Sequence, residues 1–435
     1  MLNRLKDVTN EQIGDKNLSP STYYPFSNKD YVDQRTFDLR EVVGLLISYI
    51  SEKKIAKDYT YNDFKQKCLD SFKENLTDPK AVSILKEVFF TEDTPPLFSL
   101  LMFQAYKPEL KSAKVFDVFK LLMKKDDYQI NLDAKLNFLE SHIVKQFQQE
   151  LKDDKHNDQS ISYLPFLDEL FTKDVDFLVK KSHYFTQQAE KFIEIYLLLY
   201  TSQLALNLHP YTFEEPKSRP LYFILNYEKA SIERKKLVFE GYKNLYDHAK
   251  YIFPYLSFLE TMMKITDNAD LRLYNIPDQL NDDEETRKTI EEFEKKFRTT
   301  RKLDSKFSMY NSVNSALEGL LASIYEQFQD QSSRKDIFEK YNRAFERQSA
   351  KPFLQGRGRF GKVLVLDQDT ILLLTNIAIA DQSQLRFQDL IQEFNNRGVH
   401  FDQQSQNALI ELYERVGNID RKSDSGDAIY VKSTL

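Results

Sequence analysis

Before residue 350 the chain carries only four glycines, Gly14, Gly44, Gly241 and Gly319; the other six stand at 356, 358, 361, 398, 417 and 426. Glycine turns a backbone through positive φ without steric penalty, so a long stretch nearly free of it has few places to fold back tightly. Helical spacing fills that stretch. "TFDLREVVGLLISYISEK" sets Val42, Leu45, Leu46 and Tyr49 at i, i+3, i+4 and i+7, one face of a helix. "TDPKAVSILKEVFF" opens with Asp78 as N-cap and Pro79 at the first helical position. "SAKVFDVFKLLMKK", "LDAKLNFLESHIVKQFQQEL", "YLSFLETMMKI" and "NSVNSALEGLLASIYEQF" repeat the pattern, and no Gly or Pro interrupts a long helix from about Asp174 to Leu208. No fixed-period repeat is present, which argues against a solenoid. The expected fold is therefore mainly α.

The rhythm changes at three places. Residues 1–35 are polar, include "LSPSTYYPF" and read as an irregular lead-in. A helical domain follows over 36–349, with a subdivision point near 210–220, where "KSRPLYFILNYEK" places an apolar run, Leu221 to Leu225, after a proline. That run is either a lone strand or the start of a buried helix. From 350 to 435 a glycine- and arginine-rich linker leads into a small domain of different grammar. "KVLVL" is a strand candidate and "DTILLLTNIAIA" an apolar helix capped by Asp369 or Thr370. "LRFQDLIQEFNNRG" aligns Phe387, Leu390, Ile391 and Phe394 and ends at Gly398, where a helix terminus favours glycine. "FDQQSQNALIELYERVG" is capped by Asp402, aligns Leu409, Leu412, Tyr413 and Val416, and stops at Gly417. Ile419–Lys422 and Ala428–Val431, joined by an S-D-S-G turn, read as a β-hairpin. Strand, three helices and hairpin is the order of a winged helix, so an elongated multi-helix N-terminal region followed by a C-terminal winged-helix domain is expected.

Apolar residues make up 41% and aromatics 13%, enough to fill a core and to exclude wholesale disorder. The net charge of −6 removes any general attraction to nucleic acid or acidic lipid, so such a contact must be local. The single cysteine, Cys68, excludes an internal disulfide and shares a helix face with Phe64 and Phe72, as a buried thiol does. The first residues contain no apolar run, and the most apolar helix, "EKFIEIYLLLYTSQLALNL", carries Glu190, Lys191 and Glu194. A soluble cytoplasmic protein with no membrane partner is expected.

"FLQGRGRFGKVLVLD" matches three nucleotide-loop templates at once, through Gly356, Gly358, Gly361 and Lys362. Its neighbours reject all three. A Walker loop needs a strand before it, a helix after it and a Ser/Thr following the lysine; here a polar helix precedes, a strand candidate follows, and Val363 occupies the Ser/Thr position. A dinucleotide fingerprint fails on the same order of elements. A kinase glycine loop does precede a strand, but the 74 residues beyond Gly361 contain neither H-R-D nor D-F-G. The loop is then either a solvated linker or a supple backbone presenting Arg357, Arg359 and Lys362 to phosphate oxygens. In the small domain, Gln403, Gln404, Gln406 and Asn407 lie on the N-terminal half of the third helix, where amides can read base edges, and Arg421 and Lys422 lie on the hairpin. Against DNA, Glu411 and Glu414 follow on that helix, and residues from 350 onward hold ten Lys/Arg against eleven Asp/Glu. Contact with protein therefore ranks ahead of contact with DNA, and both readings are kept.

No catalytic motif, metal-ligand spacing or cofactor signature stands out: the six histidines are scattered, and no G-x-S-x-G or H-E-x-x-H is present. The chain is expected to be non-catalytic, without metal or small-molecule cofactor.

Two segments, "RPLYFILNYEKASIERKKLVFEGYKNL" (219–245) and "DTILLLTNIAIAD…SDSGDAIYVKSTL" (369–435), resemble the bacterial family of DNA phosphorothioation-dependent restriction protein DptG, also called DndG. The resemblance covers most of the chain in length and order of elements; the tail "SDSGDAIYVK" is its most distinctive part. It implies one subunit of an anti-phage restriction system encoded beside genes that replace a non-bridging phosphate oxygen of host DNA by sulfur. The implied partners are DptF-like and DptH-like subunits, which resemble ATPases and DNA translocases, with this chain as scaffold or DNA-positioning component. A stand-alone winged-helix transcriptional regulator is the alternative.

Overall fold

Side-chain oxygens that cap free amides fix where many helices start. Asp38 accepts from the Arg40 amide and Asp78 from the Lys80 amide, while Thr60 with Asp63 and Asn137 with Glu140 form reciprocal capping boxes. Each such cap stabilises by about 1 kcal/mol. The computed structural model describes residues 1–435 except 57–58, 77, 91–94, 125–127, 129, 131–135, 157–160, 209–212, 304–306, 330–332 and 423–427. Among the described residues the chain is mainly helical, with a few small sheets.

The centre is the helix Ser182–Asn207, in which every residue from Ile195 to Leu206 is buried. A helix apolar on all sides has to lie inside a protein or a bilayer; here other helices cover it, and among the described residues no helix is long and apolar enough to cross a membrane. The long helix expected from Asp174 is instead two, Pro165–Lys180 and Ser182–Asn207, broken at Lys181. No local breaker causes this. The two segments fold back on one another, with Phe171 stacked on Phe192 at 5.6 Å and edge-on to Tyr196 at 4.9 Å. Aromatic packing outweighs helix continuation.

The lead-in is more ordered than its composition suggested. It holds two short helices, Leu2–Lys6 and Asn10–Ile13, and buries Tyr23, Tyr24 and Phe26. Farther along, the side chain of Gln348 donates to the carbonyls of Asp30 and Gln34 and accepts from the Thr36 amide at 2.9 Å. Gln348 sits in a π-helical turn, Glu346–Ala350, so this turn straps the start of the chain to its C-terminal third. Cys68 is buried, and burial pushes its thiol up to about 12, so it is unreactive at neutral pH.

One apolar core extends from Leu5 to Val431. In the C-terminal part the strand Lys362–Leu366 and the helices Gln368–Ile379, Phe387–Asn396 and Gln403–Val416 stand where the hydrophobic pattern put them. The first helix is capped by Asp367, which accepts from the Thr370 amide, and not by Asp369 or Thr370. Strands Ile419–Lys422 and Ala428–Lys432 pair antiparallel; the S-D-S-G turn between them lies outside the described residues. A further strand, Gln384–Arg386, unmarked by any sequence pattern, pairs with Ala428–Lys432 and completes a three-stranded sheet in which the last strand is central. The run at 221–225 becomes two short strands: Leu221–Tyr222 pairs parallel with Val399–His400, and Ile224–Leu225 pairs parallel with Lys362–Leu366.

Gly398 shows how closely the parts fit. Its φ is +84°, and a Cβ built there would lie 2.2 Å from Nε2 of Gln203. Gln203 cannot easily swing aside, because it accepts from the Arg219 amide and donates to the Arg219 carbonyl, both at 2.8 Å. Gly398→Ala therefore adds a steric conflict to a left-handed backbone. Urea denaturation is expected to show a loss of at least about 2 kcal/mol.

Candidate functional site

The glycine segment is not an open linker. Leu354–Gly356 and Lys362–Leu366 pair antiparallel, in register Leu354 to Leu364 and Gly356 to Lys362, so residues 357–361 are the tip of a β-hairpin. Within that tip the Arg357 amide donates to Gly361 O at 2.8 Å, Phe360 N to Arg357 O at 3.1 Å and Gly361 N to Gly358 O at 3.2 Å. A phosphate cradle needs such amides pointing outward; these turn into the tip. Gly358 and Gly361 take positive φ, +54° and +93°, and a Cβ at either position would meet no atom within 4 Å, so their role is to close the turn.

The hairpin rests on the segment after residue 220. Ile224, Leu237, Val363 and Val365 form a small separate apolar cluster, joined by Phe360 and Tyr222. Arg357 donates to the Asn226 carbonyl at 2.7 Å. Lys362 pairs with Glu346 at 2.7 Å, and Glu346 also accepts from the Tyr242 hydroxyl. Burial pushes the Glu346 carboxyl up, but hydrogen bonds from Lys362 and Tyr242 outweigh it and hold the group below its ordinary range. Of the three basic candidates only Arg359 is exposed at the tip without such an engagement among the described residues.

The third helix, Gln403–Val416, exposes Gln403, Gln404 and Asn407, then Glu411, Glu414 and Arg415. Gln403 donates to the Asn407 amide oxygen at 3.2 Å, leaving an amide-lined surface. Gln406 is half-buried and turned back onto the Phe401 carbonyl at 2.9 Å, so it does not belong to that surface. Arg421 on the hairpin pairs with Glu414, cancelling a charge on each side. Lys422 falls in the strand, but its side chain lies outside the described residues. The structure thus brings Gln403, Gln404 and Asn407 together on one exposed face, and the 357–362 candidates belong to a separate hairpin.

Two buried charge networks, neither anticipated from sequence, hold this helix in place. Arg234 grips its N-terminus, with Nε donating to Asp402 at 2.8 Å, Nη2 to Ser405 at 2.7 Å and Nη1 to Glu228 at 3.0 Å. Burial raises the Asp402 carboxyl, yet Arg234 and the Ser405 amide bring it below its usual range. At the turn before the helix, Arg397 forks onto Asp174, Nε to Oδ2 at 2.9 Å and Nη2 to Oδ1 at 2.6 Å, and its Nη1 bonds Glu393 at 2.9 Å. Tyr196 also donates to Asp174. Both Arg397 and Asp174 are wholly excluded from solvent. Burial works against the Arg397 charge, but the paired carboxylate prevails and strengthens it. Nothing in the sequence marks Asp174, which stands among other charged residues, Lys173 and Asp176, on its helix.

Among the described residues no cluster of His, Cys, Asp and Glu has the arrangement of a metal site. The chain matches no model of a known protein family, and no curated protein matches it.

Proposed function

We propose that the chain is a non-catalytic subunit of a DNA phosphorothioation-dependent restriction complex, a scaffold that presents a winged helix, residues 368–432, to ATPase- and translocase-like subunits of the DptF and DptH kinds. One observation carries most weight. The two stretches that carry the resemblance, 219–245 and 369–435, are distant in sequence yet fold against each other through the parallel pairing of Leu221–Tyr222 with Val399–His400 and the Arg234–Asp402 bridge. A shared pattern in both is what a single built unit would require. The winged-helix reading is supported by the order helix, strand, helix, strand, helix, strand, strand, in which the strand Gln384–Arg386 lies beside the last and Val399–His400 pairs outside that sheet.

Within that reading the unit contacts protein before DNA. Lys362 and Arg421 are each neutralised by a carboxylate, and Glu411 and Glu414 occupy the outward face of the third helix. A DNA reader shows a net basic footprint instead. The exposed amides Gln403, Gln404 and Asn407 favour the second reading, a dimeric promoter-binding regulator, whose paired third helices would sit one DNA turn apart.

Two measurements on the full chain separate them. Affinity purification from cells expressing the neighbouring genes is expected to recover DptF-like and DptH-like subunits. Filter binding at about 50 and 200 mM salt is expected to give weak DNA affinity that falls steeply with salt and falls further in the Arg357→Ala/Arg359→Ala variant. Tight, sequence-specific binding by the chain alone, with no subunit recovered, would establish the regulator and sink the scaffold.

A further inference from the structure

A cleft of about 540 Å³ opens between the N-terminal segment around residues 15–28 and the helices Ile252–Thr266 and Ser333–Phe345. Its inner wall is apolar and aromatic, formed by Phe253, Phe328, Ile337 and Tyr341, with Phe253 stacked on Tyr341 at 4.1 Å. Its rim is polar, with Lys16, Asn17, Asn28 and Arg334 around it. That volume lies within the range of small-molecule sites, which pair an apolar wall with a few placed polar groups.

The charges around the cleft are unbalanced. Arg334 has no carboxylate partner among the described residues: it donates to the carbonyls of Arg301 at 2.7 Å and Asp15 at 3.5 Å. Behind the rim Arg301, only 1% exposed, donates to the carbonyls of Lys16 at 3.0 Å and Ile13 at 3.4 Å. Its Nε and Nη1 have no hydrogen-bond partner among the described residues. Burial, and then the neighbouring Arg334, push the Arg301 guanidinium down to about 10. A buried cation with unpaired donors beside a second cation is costly unless an anion offsets it. Asp15 on the rim is the one acid lining the cleft among the described residues, and its carboxylate bonds neither arginine. Two cations, Lys16 and Arg334, line the cleft against the single acid Asp15, with the buried Arg301 behind them, a local cationic excess in a chain of net charge −6.

We propose that this cleft binds a small organic phosphate, its charged head held by Lys16 and Arg334 and its planar body laid against Phe253, Phe328 and Tyr341. A dianionic head matches the cationic excess, and the volume leaves room for a body the size of a nucleoside. The ligand would tie the N-terminal segment to the helical bundle, because Lys16 and Asn17 lie on the first and Arg334 and Tyr341 on the second.

Isothermal titration of the full chain with AMP, adenosine and inorganic phosphate tests this. AMP is expected to bind saturably and to raise the melting temperature, adenosine and phosphate each at least about tenfold more weakly. Lys16→Glu, on an exposed side chain with no partner among the described residues, is expected to weaken AMP about fivefold or more without lowering the melting temperature of the ligand-free protein. Arg334→Gln should weaken it further. No saturable binding of AMP at millimolar concentration, or equal binding by the Lys16→Glu variant, overturns the site. Adenosine binding as tightly as AMP overturns the anion-binding role, and phosphate binding as tightly as AMP overturns the aromatic wall.

Discussion

Replacing Arg397 by methionine is expected to cost about 3–5 kcal/mol, because it strands the Asp174 carboxylate, fully buried, without its partner. Methionine fills much of the same volume, so the loss measures the uncompensated charge rather than a cavity. Asp174→Asn should cost less, since the amide still accepts one bond from Arg397 and leaves the cation partly satisfied. The double change Asp174→Leu/Arg397→Met removes both charges and is expected to recover a large part of the loss, as two apolar groups can replace a buried pair at little net cost. Urea denaturation of the four proteins gives the cycle. A double variant as unstable as Arg397→Met alone would show that the pair shapes the site by geometry and not by charge.

That pair also bears on function. Arg397 closes the turn between the second and third helices, and Asp174 and Tyr196 belong to the two central helices. With Arg234 holding the start of the third helix, the amide face of Gln403, Gln404 and Asn407 is fixed to the body at both ends of its approach. The scaffold reading needs such rigidity, since a subunit that positions partners gains nothing from a loosely tethered recognition element.

How far the sequence discloses this arrangement depends on the range of the interaction. Short-range chemistry reads well. Asp78 and Asp402 cap helices as their positions suggest, and Gly417 ends its helix with φ +78°. The strand at Lys362–Leu366 follows from a short apolar run, and the pair at 419–432 from two short runs separated by a turn sequence. Long-range chemistry does not read at all. Asp174 and Arg397 are 223 positions apart, and nothing local says that these two among 128 charged side chains will meet. The break at Lys181 comes from Phe171 meeting Phe192, not from any breaker residue. Gln384–Arg386 is a strand only because Tyr430–Lys432 lies beside it. The glycine segment is an intermediate case: the turn residues were visible, but its hairpin depends on apolar contacts of Val363 and Val365 with Ile224 and Leu237. Of the candidate side chains, the three exposed amides were legible as one helix face, while the bridges that neutralise Lys362 and Arg421 were not.

Stability is expected to fall as pH rises through neutrality, with Asp168 as the cause. Only 8% exposed, Asp168 has one carboxylate oxygen, Oδ1, with no partner among the described residues. Burial pushes its carboxyl up to about 7, despite the opposing pull of the Ser162 hydroxyl, Lys124 and Arg272. An unfolded aspartate titrates near 3.9. The folded protein therefore holds this proton more tightly than the unfolded chain does. Its contribution is complete below about pH 4 and is lost as pH rises through about 7. Between pH 6 and pH 8 the loss is on the order of 1 kcal/mol, and between pH 5 and pH 8 roughly twice that. His400 works in the opposite sense, since burial lowers its pKa and its neutral form is favoured as pH rises. The raw profile mixes the two, but the difference between wild type and Asp168→Asn isolates the carboxyl, because the amide cannot ionise and His400 is common to both. Urea midpoints across pH 5–8 should show Asp168→Asn gaining steadily on wild type toward the alkaline end. A constant difference across that range would mean that Asp168 is already ionised at pH 5, with its charge satisfied by Arg272.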